Sequence, residues 1–264
     1  MGEAFFQDID IFTAILFAAV LGMVPLYFAI SQSFRSRILG DGAKSIITGI
    51  AFGAMIFFVV DLFEGASTLG VDFGTRSFEF RVVLVGSFAM GLMIPSILEP
   101  PLKKGEDVPG QHERLAYLFA LSMGFHAFAE GVVIGYDVTA GYGFSLLQRT
   151  VQTLSFVLHK GGEGFAISIP LMFRVSSSGI SKTVIYCGLL AGTPLILGTT
   201  SGFIGLTGSA ASFAFAAGAG GLTYVIFRLA KFPVDPSSGK VFYLGILLGV
   251  LYMYFAGSLH AILL

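Results

Sequence analysis

The sequence predicts an all-α membrane protein, a bundle of eight transmembrane helices with both termini extracytoplasmic. Three observations carry that expectation. Of 264 residues, 55% are hydrophobic and only 12% are charged, whereas a soluble domain carries about a quarter charged residues. The apolar residues fall into eight runs, each near the ~20 residues a helix needs to cross the hydrocarbon core. The basic residues between the runs lie mostly on one side, as membrane topology requires of cytoplasmic connectors.

The first run, 9–30, lacks the basic stretch, short apolar core and small-residue cleavage site of a removable signal. It is therefore expected to stay in the membrane. A polar, turn-forming stretch, "SQSFRSRILGDGAK" (31–44), separates it from the second run, 44–66, which contains "DLFE" near its end. The third run, 82–100, leads into a longer connector, "PPLKKGEDVPGQHER" (100–114). The fourth, 114–136, and fifth, 148–172, carry ionisable groups deep within apolar sequence. The sixth, 183–205, and seventh, 209–230, are rich in small residues, as in "GLLAGTPLILGTTSGFIG" (188–205) and "AAGAGG" (216–221). The eighth, 241–264, follows "KFPVDPSSGK" (231–240) and contains "GILLGVLYMYFAG" (245–257). Small residues let membrane helices approach closely, and most of the 35 glycines are read as packing surfaces. Residues 1–264 thus form a single transmembrane domain, with little left for a soluble one.

Arg35, Arg37, Lys44, Lys103, Lys104, Arg114, Arg174, Lys182, Arg228, Lys231 and Lys240 fall on one side, against Arg76, Arg81 and Arg149 on the other. Eleven against three places the connectors after runs one, three, five and seven in the cytoplasm. The expected location is the cell membrane, with the lipid bilayer as surroundings. One cysteine, Cys187, excludes an internal disulfide framework and a Cys-rich metal site. A net charge of −1 and the lack of long like-charge runs give no arm for nucleic acid.

Deep in the runs lie Asp61 and Glu64 in the second, His126 and Glu130 in the fourth, and His159, Lys160 and Glu163 in the fifth. Each charge at the bilayer centre costs about 2.5–3.5 kcal/mol, so Glu130, Lys160 and Glu163 together would cost roughly 8–10 kcal/mol unpaired. The spacing supplies a compensation. His126 and Glu130 are four apart, as are His159 and Glu163, so each pair projects from one helix face. Two imidazoles and two carboxylates on facing helices suit Zn²⁺, and the same donors accept Fe²⁺, Mn²⁺, Co²⁺ or Cd²⁺. "HAFAEGVVI" (126–134) and "HKGGEGFAI" (159–167) share the frame H-x-x-x-E-G-x-x-I on consecutive runs of opposite direction. This inverted pair is the arrangement in which transporters hold a substrate near the midplane. A fainter echo links "AFGAMIFFVV" (51–60) with "AAGAGGLTYV" (216–225).

On these residues the chain resembles the ZIP (Zrt/Irt-like) family of divalent-metal transporters, whose fourth and fifth spans carry forms of H-N-x-P-E-G and H-E-x-P-H/E-E/G. The resemblance extends to eight spans, outside termini, the longer third connector and the glycine-rich seventh span. It implies that His126, Glu130, His159 and Glu163 are transport-site ligands and that Asp61 and Glu64 lie near the metal's route. It also implies that spans one, four, five and six move against the rest, often in a homodimer. The metal is then substrate, with no prosthetic group.

The departures are specific. Ala127 stands where the family usually has Asn, Lys160 where it often has an acidic or amide residue, and Ala129 and Gly162 replace the prolines. A family Glu-Pro pair in span six reads Thr193-Pro194, which leaves Thr193 on the implied route. Three contributions to a second metal are missing, so the expected site is mononuclear, with the Lys160 ammonium where a second cation would sit. Two other readings of Lys160 stand beside this one: an ammonium that snorkels along an aqueous cavity, or one whose pKa falls on burial and links it to protons.

Three glycines within "KGGEG" (160–164) weaken a helix by roughly 1 kcal/mol each. Local unwinding that offers the Gly161 and Gly162 carbonyls to an ion, or close helix packing, would account for them. Pro170 is expected to kink the end of span five. His112, in a connector, and His260, near an outer end, carry little weight.

The leading expectation is a transporter moving a divalent metal toward the cytoplasm, not an enzyme. An intramembrane zinc-dependent hydrolase is the alternative, but H-E-x-x-H is missing and four protein ligands leave no open position. Haem held by His126 and His159 leaves both glutamates without a role.

Overall fold

The computed structural model describes residues 11–33, 38–72, 78–98, 110–140, 146–173, 180–206, 208–230 and 239–261. Among them there is no strand. Eight long helices follow one another: α1 Ile11–Ser31, α2 Asp41–Asp72, α3 Phe78–Leu98, α4 Gln111–Ala140, α5 Leu146–Met172, α6 Ile180–Phe203, α7 Gly208–Leu229 and α8 Gly239–Ala261. All but α5 are long and apolar enough to cross a membrane. The chain is an all-α, multi-pass membrane protein.

Each helix overlaps one expected apolar run, with shifted ends. α2 and α4 extend past 44–66 and 114–136, since nothing in the polar flanks of those runs breaks a helix where the hydrocarbon would end. α6 stops at Phe203 instead of 205 because Gly205 adopts φ +98°. The Leu206 N–H then donates to the Ser201 carbonyl at 2.9 Å and the Gly205 N–H to that of Gly202 at 3.1 Å, a glycine-terminated cap.

α1 contains a π-helical segment, Ala18–Met23, directly before Pro25. Proline has no N–H to give and its ring crowds the carbonyl four residues back. The wider turn relieves both, and it sets Gly22 against Leu195 of α6.

Glycines decide which helices touch backbone to backbone. Gly131 and Gly135 of α4 sit on the Leu195 and Thr199 carbonyls of α6, and Gly198 and Gly202 of α6 sit on those of Phe128 and Val132. Gly49 and Gly53 of α2 interlock in the same way with Gly245 and Gly249 of α8. α3 meets α7 through Gly91 and Gly220, and α1 meets α5 through Gly164 on the Leu26 carbonyl. The tightest seams therefore join α1 to α5 and α4 to α6, and separately α2 to α8 and α3 to α7. Between these four pairs the approaches are looser or involve side chains, as where Gly162 faces Met253 and Gly221 faces Ser122.

α5 is surrounded by α1, α2, α4 and α8, so its charged face has helices around it instead of lipid. The expected unwinding does not occur: α5 is continuous through 160–164 and on past Pro170 to Met172. Its glycines serve packing, with Gly162 against Met253 and Gly164 against α1. The Gly161 and Gly162 carbonyls remain part of the helix and are not ion ligands. Two hydrogen bonds also pin α5 to α8: Ser155 Oγ donates to the Ala256 carbonyl at 2.6 Å, and Tyr252 OH to that of Leu158 at 2.9 Å.

Candidate metal centre

The four-residue spacings place His126 and Glu130 on one face of α4 and His159 and Glu163 on one face of α5, and packing turns the faces together. One ligand atom from each of the four residues lies within 4.8 Å of all the others. His126 Nε2 is 3.2 Å from His159 Nε2, from Glu130 Oε1 and from Glu163 Oε1. His159 Nε2 is 3.8 Å from Glu130 Oε1 and 3.6 Å from Glu163 Oε1. The two imidazoles are stacked, 5.3 Å apart at their centroids and inclined by 24°. Nitrogen and oxygen donors converging from two helices make a donor set that could hold a transition-metal ion.

The group is sequestered from bulk water. His126 and Glu163 are buried, and Glu130 and His159 are partly covered. Phe58 of α2, fully buried, presents its edge to both imidazoles, 4.9 Å from His159 and 6.0 Å from His126. Phe215 of α7 lies 5.6 Å from His126 on another side. α7 comes this close to α4 because position 218 has no side chain: a Cβ there would stand 3.2 Å from the Ser122 carbonyl oxygen and 3.3 Å from the His126 amide nitrogen. Sequence reasoning passed over both phenylalanines, although Phe58 lies three residues before Asp61 and thus shares its helix face.

Lys160 bridges the two carboxylates. Its ammonium is 2.6 Å from Glu163 Oε1 and pairs closely with Glu130 Oε2. It also lies 5.5 Å from the centre of the Phe156 ring. The side chain is 2% exposed, so the snorkelling reading is overturned: both carboxylates attract the ammonium inward, away from bulk solvent. Among the described residues His126 Nδ1 and Glu163 Oε2 have no hydrogen-bond partner. A buried polar atom left this way costs about 1–3 kcal/mol, which a bound ion or water would recover at the carboxylate.

The other expected residues are distributed less closely. Asp61 of α2 is half-buried and near enough to His159 to act on it electrostatically. Glu64, one turn further, is exposed on the surface of the bundle and does not join the centre. Thr193 is half-buried on α6, outside the four-ligand group. Asp137, half-buried on α4 two turns beyond Glu130, was passed over in the sequence although a seven-residue spacing keeps it on the same face. His112 starts α4, well away from the centre. The side chains of His260 and Arg149 lie outside the described residues, as do Arg35, Arg37, Arg76, Lys103, Lys104, Arg174 and Lys231.

A separate crevice of about 420 Å³ opens between α1, α2, α5 and α8, lined by Phe28, Val157, Gly161, Gly162, Phe165 and Tyr252 among others. Those α5 residues occupy the face opposite His159 and Glu163. The crevice is almost wholly apolar and has no part in the ligand group.

No family model matches the chain. It is similar to an uncharacterized protein of Methanocaldococcus jannaschii, 23% identical over 247 residues, a likeness covering 92% of this chain and 94% of the relative.

Proposed function

We propose that this protein is a divalent transition-metal transporter of the ZIP type, moving zinc, or iron or manganese, across the cell membrane toward the cytoplasm. The observation that carries the reading is the convergence of His126, Glu130, His159 and Glu163 on one point between two central helices. A structural ion pair would not need two imidazoles in the same shell, and a soluble-type metal site would not need burial between apolar helices.

In this reading α5 is an eighth span, tolerated by the membrane because its charges pair inside the bundle. The basic residues at described helix ends support the orientation. Lys44, Arg114, Lys182 and Lys240 open α2, α4, α6 and α8, and Arg228 closes α7, whereas Arg81 lies at the start of α3. Both termini are then extracytoplasmic, α4 and α5 form the inverted pair of the repeat, and the homodimer is carried over from the family resemblance alone.

We read the centre as mononuclear. The ammonium of Lys160 bridges Glu130 and Glu163 and takes the position a second, carboxylate-bridged cation would occupy. Two carboxylates and one ammonium sum to −1, so one divalent ion brings the centre to +1.

Purified protein reconstituted in liposomes should take up Zn²⁺ down an imposed gradient, and His126→Ala should reduce the rate to that of empty liposomes. Absence of Zn²⁺, Fe²⁺ and Mn²⁺ flux with the folded wild type would rule out transport. Hydrolytic activity lost with the same substitution would favour the zinc-dependent hydrolase instead.

A further inference from the structure

We propose that Lys160 determines which ions the centre accepts: by holding both carboxylates it leaves the two imidazole nitrogens as the discriminating donors, and so favours nitrogen-seeking ions such as Zn²⁺ and Co²⁺ over oxygen-seeking ones such as Mn²⁺ and Mg²⁺. The inference rests on the metal-binding reading and adds a specificity residue to it.

Each carboxylate meets the ammonium with an oxygen. Glu163 Oε1, the oxygen 3.2 Å from His126 Nε2 and 3.6 Å from His159 Nε2, is the same atom that lies 2.6 Å from Lys160 Nζ. Glu130 turns Oε1 to the imidazoles and Oε2 to the ammonium. An oxygen that accepts a charge-assisted hydrogen bond, or belongs to a carboxylate that does, has less electron density to give an ion. Neither imidazole Nε2 is paired with the ammonium. Repulsion by the ammonium acts alike on all divalent ions at one position, because it depends on charge and distance alone. What differs among ions is the donor they prefer. Imidazole suits zinc and cobalt, and carboxylate oxygen suits manganese and magnesium.

The lysine is held in this role by its surroundings. It is buried away from bulk solvent. The Phe156 ring, 5.5 Å from the ammonium, adds a further attractive surface. His159 is fixed beside it by the edge of Phe58 at 4.9 Å. An ion entering between the imidazoles therefore meets preset nitrogen donors and carboxylates already engaged.

The test is equilibrium binding of Zn²⁺, Co²⁺, Mn²⁺ and Mg²⁺, each alone, to purified wild type, Lys160→Met, Lys160→Gln and Lys160→Arg. Thermal unfolding of each variant checks that it folds. The Zn²⁺-over-Mn²⁺ affinity ratio should fall by about tenfold in the Met and Gln variants, in the range typical of groups that tune metal ligands. Lys160→Arg, which keeps the charge, should stay nearer wild type. If Lys160→Met fails to fold, Lys160→Gln, whose neutral amide can give the carboxylates only an uncharged hydrogen bond, carries the comparison. An unchanged ratio in folded neutral variants that bind Zn²⁺ overturns the inference and leaves the metal centre standing. A folded wild type that binds none of the four ions overturns both.

Discussion

The chemistry rests on one buried lysine between two glutamates and two histidines. The convergence of the four residues was legible in the sequence, because a histidine and a glutamate on one helix face are costly in an apolar run unless a partner or an ion meets them, and here the pattern occurs twice. What the spacing did not reveal was depth. Lys160 is three residues before Glu163 and shares its face, yet whether it points to water or to the carboxylates depends on α4, thirty residues away in sequence, and on Phe156. Breaking a buried ion pair from one side costs about 3–5 kcal/mol because the partner charge stays buried and uncompensated. Lys160→Ala should lower the unfolding temperature of the metal-free protein, and added Zn²⁺ should raise it by more in the variant than in wild type, since the metal then supplies the missing positive charge. Equal Zn²⁺-induced shifts measured by thermal unfolding would contradict this.

At the scale of the element, small residues position the centre as much as its ligands do. Gly131, Gly135, Gly198 and Gly202 bring α4 and α6 into backbone contact, and Gly218 lets α7 approach α4 beside His126. Gly198→Val would drive side-chain atoms into the Phe128 carbonyl, where no flexible side chain can give way. Overpacking of this kind costs about 1–3 kcal/mol, so the variant should show a lower midpoint in thermal unfolding and weaker Zn²⁺ binding. A stability equal to wild type would show that the seam is slack. The runs of small residues made these seams visible in the sequence, but not their partners, which depend on tertiary order. Of the two readings of the three glycines of "KGGEG", packing is the one the structure shows. Their backbone freedom argued for unwinding, whereas α1 and α8 use the space their missing side chains leave, and packing outweighs a propensity deficit of roughly 1 kcal/mol per glycine. The π-helical turn before Pro25 carried a signal in the proline itself, but the width of the preceding turn depends on α6.

For the whole molecule, the positions of the long described helices largely followed from apolar run length, because the bilayer fixes how long a spanning helix must be. α5 shows what hydropathy misses: it is the least apolar of the long helices because it carries half of the centre, and its charges are matched by residues of α4. The pairing of helices along glycine seams was not legible, since it depends on which glycine faces which carbonyl. Phe58 of α2 and Phe215 of α7 pack against the candidate centre, whose four residues come from α4 and α5. The central claim, that the four residues together hold a single transition-metal ion, is tested most directly by measuring bound zinc per chain in purified protein after equilibration and removal of free metal. One zinc per chain in wild type and none in the His126→Ala/His159→Ala double variant is the expected result. Two per chain, or zinc retained by the double variant, would contradict it.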